Sequence, residues 1–305
     1  MSAGACAASR SVIAIVGPTA SGKSALALRV AERLGGEIVS ADSRLVYRGM
    51  DVGTAKPTRE ERARVRHHLI DVADPGERYD VARYQREARA VLADLAGRGI
   101  RAIVVGGTGL YVRALLDGLD LAALPVDEEV RRRLERDARD EGAEAMHGRL
   151  AAVDPQAAAR VDPRNVRRVI RYLEIATIAG SASDLWDRAE PIPARRIGLR
   201  PPRPWLARRI DERVHRMVAD GVLGEARELL ERGLDPSLPS LTAHGYVHWA
   251  RHLRGGIDLE AAIAATVRDT RAYAKRQMTW FRRDPEVRWV DPTTDDPLAL
   301  IAEAA

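Results

Sequence analysis

The sequence predicts an α/β fold: a parallel sheet flanked by helices, with an inserted helical domain and a helical C-terminal part. Three observations carry that expectation. Short apolar runs alternate with helical periods from Val12 to Gly107, which is the βαβ pattern of a covered parallel sheet. Several of those runs stop at Gly or Ser, where a buried strand meets a loop. Between Val126 and Ser183 no strand pattern survives, and Arg- and Ala-rich helical spacing takes over. In order, Val12–Val16 (VIAIV) reads as a buried strand ending at Gly-Pro, and Ser24–Leu34 as a helix stopped by Gly35-Gly36. Glu37–Ser40 and Leu69–Val72 are the second and third strands, Val81–Leu95 is a helix, and Arg101–Val105 is a fourth strand. Arg195–Leu199 is one more, and beyond the Pro-rich stretch at 201–204 the chain reads helical to Arg283, with breaks at Asp235-Pro236 and Gly255-Gly256. The expected division is a core in 1–125, a helical insertion in 126–194, and a return to the core with C-terminal helices in 195–305.

At 305 residues and 46% hydrophobic content the chain can bury a sizeable core, which excludes wholesale disorder. A single cysteine, Cys6, excludes an intramolecular disulfide framework and Cys-rich zinc modules. There is no apolar stretch long enough to span a bilayer and no leader-like N-terminus, so no membrane role and a cytoplasmic location are expected, with a monomer as the default. The net charge of +5 allows an anionic partner without requiring one, and residues 291–305 are purely acidic in their charge. Only Lys23, Lys56 and Lys275 occur among 49 basic residues, and all three fall within the motifs below.

GPTASGKS comprises Gly17, Pro18, Thr19, Ala20, Ser21, Gly22, Lys23 and Ser24, and matches G-x-x-x-x-G-K-[ST] between a strand and a helix. That context gives a P-loop NTPase-like core: backbone N–H groups curl around phosphate oxygens, Lys23 supplies charge, and the Ser24 hydroxyl ligates Mg2+. The motif fixes a phosphate site but not which phosphate compound fills it, and alone it favours a nucleotide- or ATP-binding kinase or NTPase. Asp42 follows the second strand at the rim of this loop, placed to act as a base, to hold Mg2+ indirectly, or to cap a helix. Thr108, after the fourth strand, reads equally as an N-cap or a substrate contact. Asp71, closing the HLID strand, is either a support for Mg2+ through water or a cap. His244, His248 and His252 recur every four residues, but no HExxH carboxylate accompanies them, so a zinc site is disfavoured. His67-His68 reads as structural.

Seven stretches, in order and across nearly the whole chain, resemble bacterial tRNA dimethylallyltransferases of the IPP transferase family: GPTASGKS (17–24), ADSRLVYRGMDVGTAKPT (41–58), HHLIDVADP (67–75), VVGGTGLYVRALLDGL (104–119), DPRNVRRVIRYLEI (162–175), HGY (244–246) and TRAYAKRQMTWFRRD (270–284). The resemblance implies transfer of a dimethylallyl group from dimethylallyl diphosphate to N6 of the adenosine 3′ of the anticodon, with diphosphate leaving and Mg2+ assisting. It makes Asp42 the general base, Thr108 a contact to the substrate adenine, Arg213 a diphosphate contact, and residues 17–24 the diphosphate loop. It matches tRNA contacts, to the anticodon stem-loop, to Asp42, Ser43, Arg44, Leu45, Thr108, Arg131, Arg167, Arg168, Val169, Ile170, Arg171, Thr242, Ala243, His244, Gly245, Tyr246 and Val247. Arg164, Arg167, Arg168 and Arg171 share one face of a helix, ordinarily a solvated one; the resemblance turns it toward RNA. The roles of Lys275, Arg276 and Arg282 stay open between phosphate and RNA. Arg44-Leu45 replaces a Met-Gln pair common in the family, which removes a hydrogen-bond partner for a base. A prenyltransferase acting on free adenine nucleotides, a P-loop small-molecule kinase, and a non-catalytic RNA-binding protein are the alternatives.

Overall fold

The computed structural model describes residues 12–119, 124–183, 190–242 and 245–302. The expectations placed on Cys6, Ala243 and His244 lie outside these residues.

The chain divides into two compact units, Met1–Leu116 with Ile192–Ala305, and Asp117–Pro191. The insertion therefore opens at Asp117, earlier than the Val126 expected from where strand patterning ceases, and closes at Pro191. Ile192 N–H donates to Leu116 O at 2.9 Å, so the chain leaves and re-enters the first unit at one point.

The first unit is a six-stranded, wholly parallel sheet ordered β3-β2-β4-β1-β5-β6. Its strands are β1 (Val12–Val16), β2 (Glu37–Ser40), β3 (His67–His68), β4 (Ala102–Gly106), β5 (Ala194–Leu199) and β6 (Val287–Val290). Because helices cover both faces, VIAIV is apolar throughout rather than alternating. Ile13 and Ile15 join Ile38, Ile103 and Ile197 in one core, while Ala14 and Val16 join Val39 and Val104 in the other. The covering helices are α1 (Lys23–Leu34), α2 (Arg59–Arg64), α3 (Val81–Gly97) and α4 (Gly109–Leu116), then α9 (Arg203–Ala219) to α13 (Pro297–Ala302) after the insertion. Of the last group, α10 is Val222–Glu231, α11 Tyr246–Leu253 and α12 Leu259–Phe281.

Two expectations at the sheet edge are corrected. The third strand is not Leu69–Val72 but the preceding pair His67–His68. Leu69 and Asp71 adopt left-handed backbone (φ 62° and 59°), which breaks an extended run that the apolar pattern alone suggests. β6 was not anticipated, because VRWV sits behind a basic stretch that reads as the tail of a helix. It extends the sheet by pairing with β5 from Arg196↔Val287 to Leu199↔Val290.

The second unit is helical: α5 (Glu128–Glu141), α6 (Ala143–Val153), α7 (Pro155–Ala159) and α8 (Val166–Ala179). Asp127 caps α5, and Asn165 caps α8 through Arg168 N–H. At its centre lies Glu174, wholly buried. Arg131 donates to both its oxygens, at 2.7 and 3.0 Å from Nη2, and Arg171 donates at 2.8 Å. Asp127 N–H adds a further bond at 3.0 Å. Burial alone would raise the pKa of this carboxyl, but the two guanidinium groups hold it below the usual value. Glu174→Ala should therefore destabilise this unit by about 3–5 kcal/mol, since two enclosed arginines lose their counter-charge. Thermal unfolding of the whole chain checks this, and an unchanged melting temperature would show that the cluster does not support the fold.

Candidate active site

The carboxyl ends of β1, β2 and β4 meet in one crevice, lined by residues including Thr19, Lys23, Ser24, Ser40, Asp42, Leu45, Arg213 and Gln277. In an open α/β sheet ligands bind at this edge.

The phosphate loop runs from β1 into α1. Gly22, at φ 93°, lets the loop turn into the helix, and Ala20 takes left-handed backbone (φ 62°), a strained conformation for a residue with a Cβ. Ser24 is exposed in the first turn of α1. Lys23 Nζ donates to Pro18 O at 2.7 Å, folded back across its own loop. Burial lowers its pKa to about 8; the charge of Asp42 opposes the shift and that of Arg213 adds to it. Arg213, on α9, donates to Thr54 O at 3.0 Å and to Thr19 Oγ1 at 3.3 Å. Burial lowers its pKa too, again opposed by Asp42. Two cations thus share a desolvated crevice with one carboxylate, which leaves positive charge to be met by an anion.

Asp42 lies just past β2, and its Oδ1 accepts from Arg44 N–H at 2.9 Å. Oδ2 bonds to none of the described residues. Thr108 lies just past β4, and its Oγ1 accepts from Ser43 N–H at 3.0 Å and donates to Ser43 Oγ at 3.2 Å. Ser43 therefore ties Thr108 to the neighbour of Asp42, and the ends of two strands become one polar rim. Tyr273, on α12, is in hydrogen-bond contact with Thr108 and Gln277; burial first, then the charge of Asp42, pushes its hydroxyl up to about 12.

Sequence reasoning missed Gln277 and Glu225. The buried amide of Gln277 accepts from Thr19 N–H at 2.8 Å and donates to Gly107 O at 3.0 Å, so α12 clamps the phosphate loop to the β4 loop. At Gly107 a Cβ would come within 2.1 Å of that amide, which is why the position holds glycine. Glu225, on α10, accepts from the backbone N–H groups of Val52 and Gly53 at 2.8 and 2.9 Å, from Asp51 N–H, and from the Tyr246 hydroxyl at 2.6 Å. It thereby fixes the loop that carries Thr54 under Arg213. The signal available for both was an amide or carboxylate on the inward face of an amphipathic helix.

Several residues that the resemblance matched to RNA contacts are engaged inside the protein. Arg131 and Arg171 are held by Glu174, and Val169 and Ile170 are buried in the second unit. The arginine face is accordingly reduced: Arg164 precedes α8 and pairs with Asp162, Arg171 turns inward, and Arg167 and Arg168 remain exposed. Tyr246 is buried against Gly53 with its hydroxyl on Glu225. Arg44 reaches the carbonyls of Pro239 and Ser240, Thr242 is exposed, and Leu45, Gly245 and Val247 are half-buried. Asp71 is not at a strand end facing the crevice: Lys56 and Arg62 take its two oxygens at 2.6 and 2.7 Å. Burial opposes these cations, yet its pKa is lowered. His248 pairs with Asp269 at 2.7 Å and His252 bonds Ile257 O, and no metal-holding cluster of three His, Cys, Asp or Glu exists among the described residues.

A phosphate loop at the end of β1 that faces a carboxylate and a hydroxyl at the ends of β2 and β4 defines a P-loop transferase class, in which an anionic leaving group and a proton-losing acceptor meet in one crevice. Within that class, a family model described as IPP transferase matches residues 45–284, and one described as isopentenyl transferase matches residues 10–73. The chain belongs to the IPP transferase family. It is 48% identical over 285 residues to a tRNA dimethylallyltransferase of Geobacter metallireducens, covering 92% of each chain. It is 51% identical over 293 residues to one of Anaeromyxobacter dehalogenans, covering 95% of this chain and 97% of that one. Among solved structures it resembles the tRNA isopentenylpyrophosphate transferase of Bacillus halodurans (TM-score 0.70, 43% identity, 96% and 94% of the two chains). It also resembles a eukaryotic dimethylallyltransferase acting on tRNA (TM-score 0.78, 25% identity, 96% and 77%). No helix among the described residues is long and apolar enough to cross a membrane.

Proposed function

We propose that this protein transfers a dimethylallyl group from dimethylallyl diphosphate to N6 of an adenosine in the anticodon loop of tRNA. The observation that supports it is the convergence of Lys23, Arg213 and Asp42 in one crevice, with Thr108 stitched to the neighbour of Asp42. In the reaction the C1–O bond to diphosphate breaks, the N6–C1 bond forms, and one N6 proton is lost. Negative charge grows on the leaving oxygen, so the loop amides, Lys23 and Arg213 act where charge develops. Asp42 accepts the N6 proton, and Thr108 orients the base. Such a geometry needs the adenosine flipped out of its stack, and exposed arginines such as Arg167 and Arg168 supply backbone affinity.

The donor set suits Mg2+ as its diphosphate complex and not as a protein-caged ion. Ser24 Oγ would be one hard-oxygen ligand, and Ser40 Oγ in the crevice wall is buried without a hydrogen-bond partner among the described residues, where a hydrated cation would satisfy it. Bound there, Mg2+ would neutralise charge on the departing diphosphate. We read the protein as acting as a monomer.

The test is one incubation with Mg2+, dimethylallyl diphosphate and unmodified tRNA, read by nucleoside mass spectrometry, with AMP and ATP as parallel acceptors. Prenylated adenosine in tRNA alone is expected. Product on AMP or ATP would move the protein to free-nucleotide prenylation, and no prenyl product would return it to the kinases and NTPases.

A further inference from the structure

Arg213 hydrogen-bonds to no carboxylate among the described residues. Its guanidinium is aimed by two neutral acceptors, Thr54 O at 3.0 Å and Thr19 Oγ1 at 3.3 Å. The nearer one belongs to the loop after β2, so the direction in which Arg213 meets a ligand depends on where that loop sits. The loop also forms part of the crevice wall, through Thr54, Ala55 and Pro57. Ala55 holds left-handed backbone there (φ 50°), a conformation that is costly for a residue with a Cβ and persists where the flanking chain is fixed.

Two charged groups fix that chain. Lys56 donates to Tyr47 O, Asp51 and Asp71 on one side. On the other, Glu225 reaches across from α10. Its Oε2 accepts from the N–H groups of Asp51 and Val52, and its Oε1 from Gly53 N–H and the Tyr246 hydroxyl. Three successive backbone N–H groups turned on one carboxylate make an anion-binding concavity, which the chain fills with its own side chain. The peptide unit that gives its N–H to Glu225 at Asp51 presents its carbonyl, Met50 O, to the Thr54 hydroxyl. A continuous path of hydrogen bonds therefore runs from Glu225 through that peptide to Thr54, whose own carbonyl holds Arg213.

We propose that Glu225 is a positioning residue for the diphosphate end of the crevice: by gathering the N–H groups of residues 51–53 it places Thr54 O, and through it the aim of Arg213 at the leaving group. The inference rests on the reading of diphosphate as that leaving group. All four partners of Glu225 donate, so the position calls for an acceptor-only side chain. A glutamine keeps the size but turns an NH2 group on two of those donors.

The experiment uses the full-length protein, with calorimetry of inorganic diphosphate and Mg2+ beside binding of an anticodon stem-loop RNA. Glu225→Gln should weaken diphosphate about 5- to 50-fold, a large part of one charge-assisted hydrogen bond, and leave RNA affinity in place. In turnover the KM for dimethylallyl diphosphate should rise by a similar factor while the KM for RNA does not move. Arg213→Ala sets the full loss, and adding Glu225→Gln to it should bring no more than a further factor of about two, because the carboxylate acts through Arg213. Gly53→Ala reaches the same loop with the carboxylate intact, since its Cβ would come within 2.6 Å of the Tyr246 hydroxyl, and the same selective loss is expected. Glu228→Gln, one turn along α10 and exposed, should change neither affinity. The proposal fails if Glu225→Gln and Gly53→Ala bind diphosphate as the unaltered protein does, or if the losses of Glu225→Gln and Arg213→Ala multiply in full. It also fails if RNA affinity falls in place of diphosphate affinity, which would make Glu225 a support for Tyr246 alone. Glu225-dependent diphosphate binding in a protein that prenylates no RNA would leave the assignment standing and remove the functional reading. Prenylated RNA with diphosphate binding indifferent to Glu225 would do the reverse.

Discussion

Asp42→Ala should lose turnover by about 10²- to 10⁴-fold, the range for removing a positioned general base, while tRNA affinity stays nearly intact. Two features of the crevice support that separation. The Asp42 carboxylate spends Oδ1 on Arg44 N–H and keeps Oδ2 clear of the described residues, so its loss removes an acceptor for the N6 proton without opening the core. RNA affinity, in contrast, draws on exposed cations elsewhere and on many phosphate contacts, of which Asp42 is none. The comparison must be made under single-turnover conditions with saturating tRNA and dimethylallyl diphosphate, so that binding and chemistry are read apart. Asp42→Asn is the stricter version, since it preserves shape and an acceptor for Arg44 while removing the base. If either variant instead abolished tRNA binding and left residual chemistry unchanged, Asp42 would be an RNA-anchoring residue and the base would have to be sought elsewhere.

What could be read in the sequence was local. VIAIV followed by GPTASGKS places a strand, a phosphate loop and a helix within a dozen or so residues, and each is decided by neighbours in the chain. The position of Asp42 at a strand end follows from the same logic. What could not be read depended on partners far away. Gln277 meets Thr19 across 258 residues, and Glu225 meets Gly53 across 172. No periodicity along one helix announces which distant backbone it will clamp. The arginines of α8 show the opposite hazard. Their spacing is helical, but the helix begins at Val166, and Arg171 finds Glu174 one turn on, so a run that looks uniformly solvated splits into one inward and two outward side chains. The Leu69–Val72 expectation failed because left-handed backbone at Leu69 and Asp71 overrides an apolar pattern, and that geometry serves the Lys56–Asp71–Arg62 cluster. Lys56, conspicuous as one of three lysines, organises a loop through Tyr47 O, Asp51 and Asp71.

Lys23 gives the second large effect, and its sign can be worked out from its pKa. In the folded protein the ammonium is desolvated and titrates near 8, against 10.5 when unperturbed. Between those values the unfolded chain holds a proton that the folded one has released, so the contribution of this group to stability rises with pH across that window. Below pH 8 the group is charged in both states, and the full cost of burying it is present. A bound diphosphate supplies the missing counter-charge and favours the ammonium. Binding of dimethylallyl diphosphate at pH 9 should then be accompanied by uptake of most of one proton, and at pH 7 this uptake by Lys23 should vanish. Titration calorimetry in two buffers of different ionisation enthalpy measures this directly. Lys23→Ala should remove the uptake at pH 9 and weaken binding about 10- to 100-fold at pH 7, as expected for a charge-assisted hydrogen bond to phosphate. Lys23→Arg should restore much of the affinity without restoring the uptake, because a guanidinium does not titrate in this range. Equal proton uptake by Lys23→Ala would assign the titration to another group, and unchanged affinity in that variant would remove Lys23 from the diphosphate site.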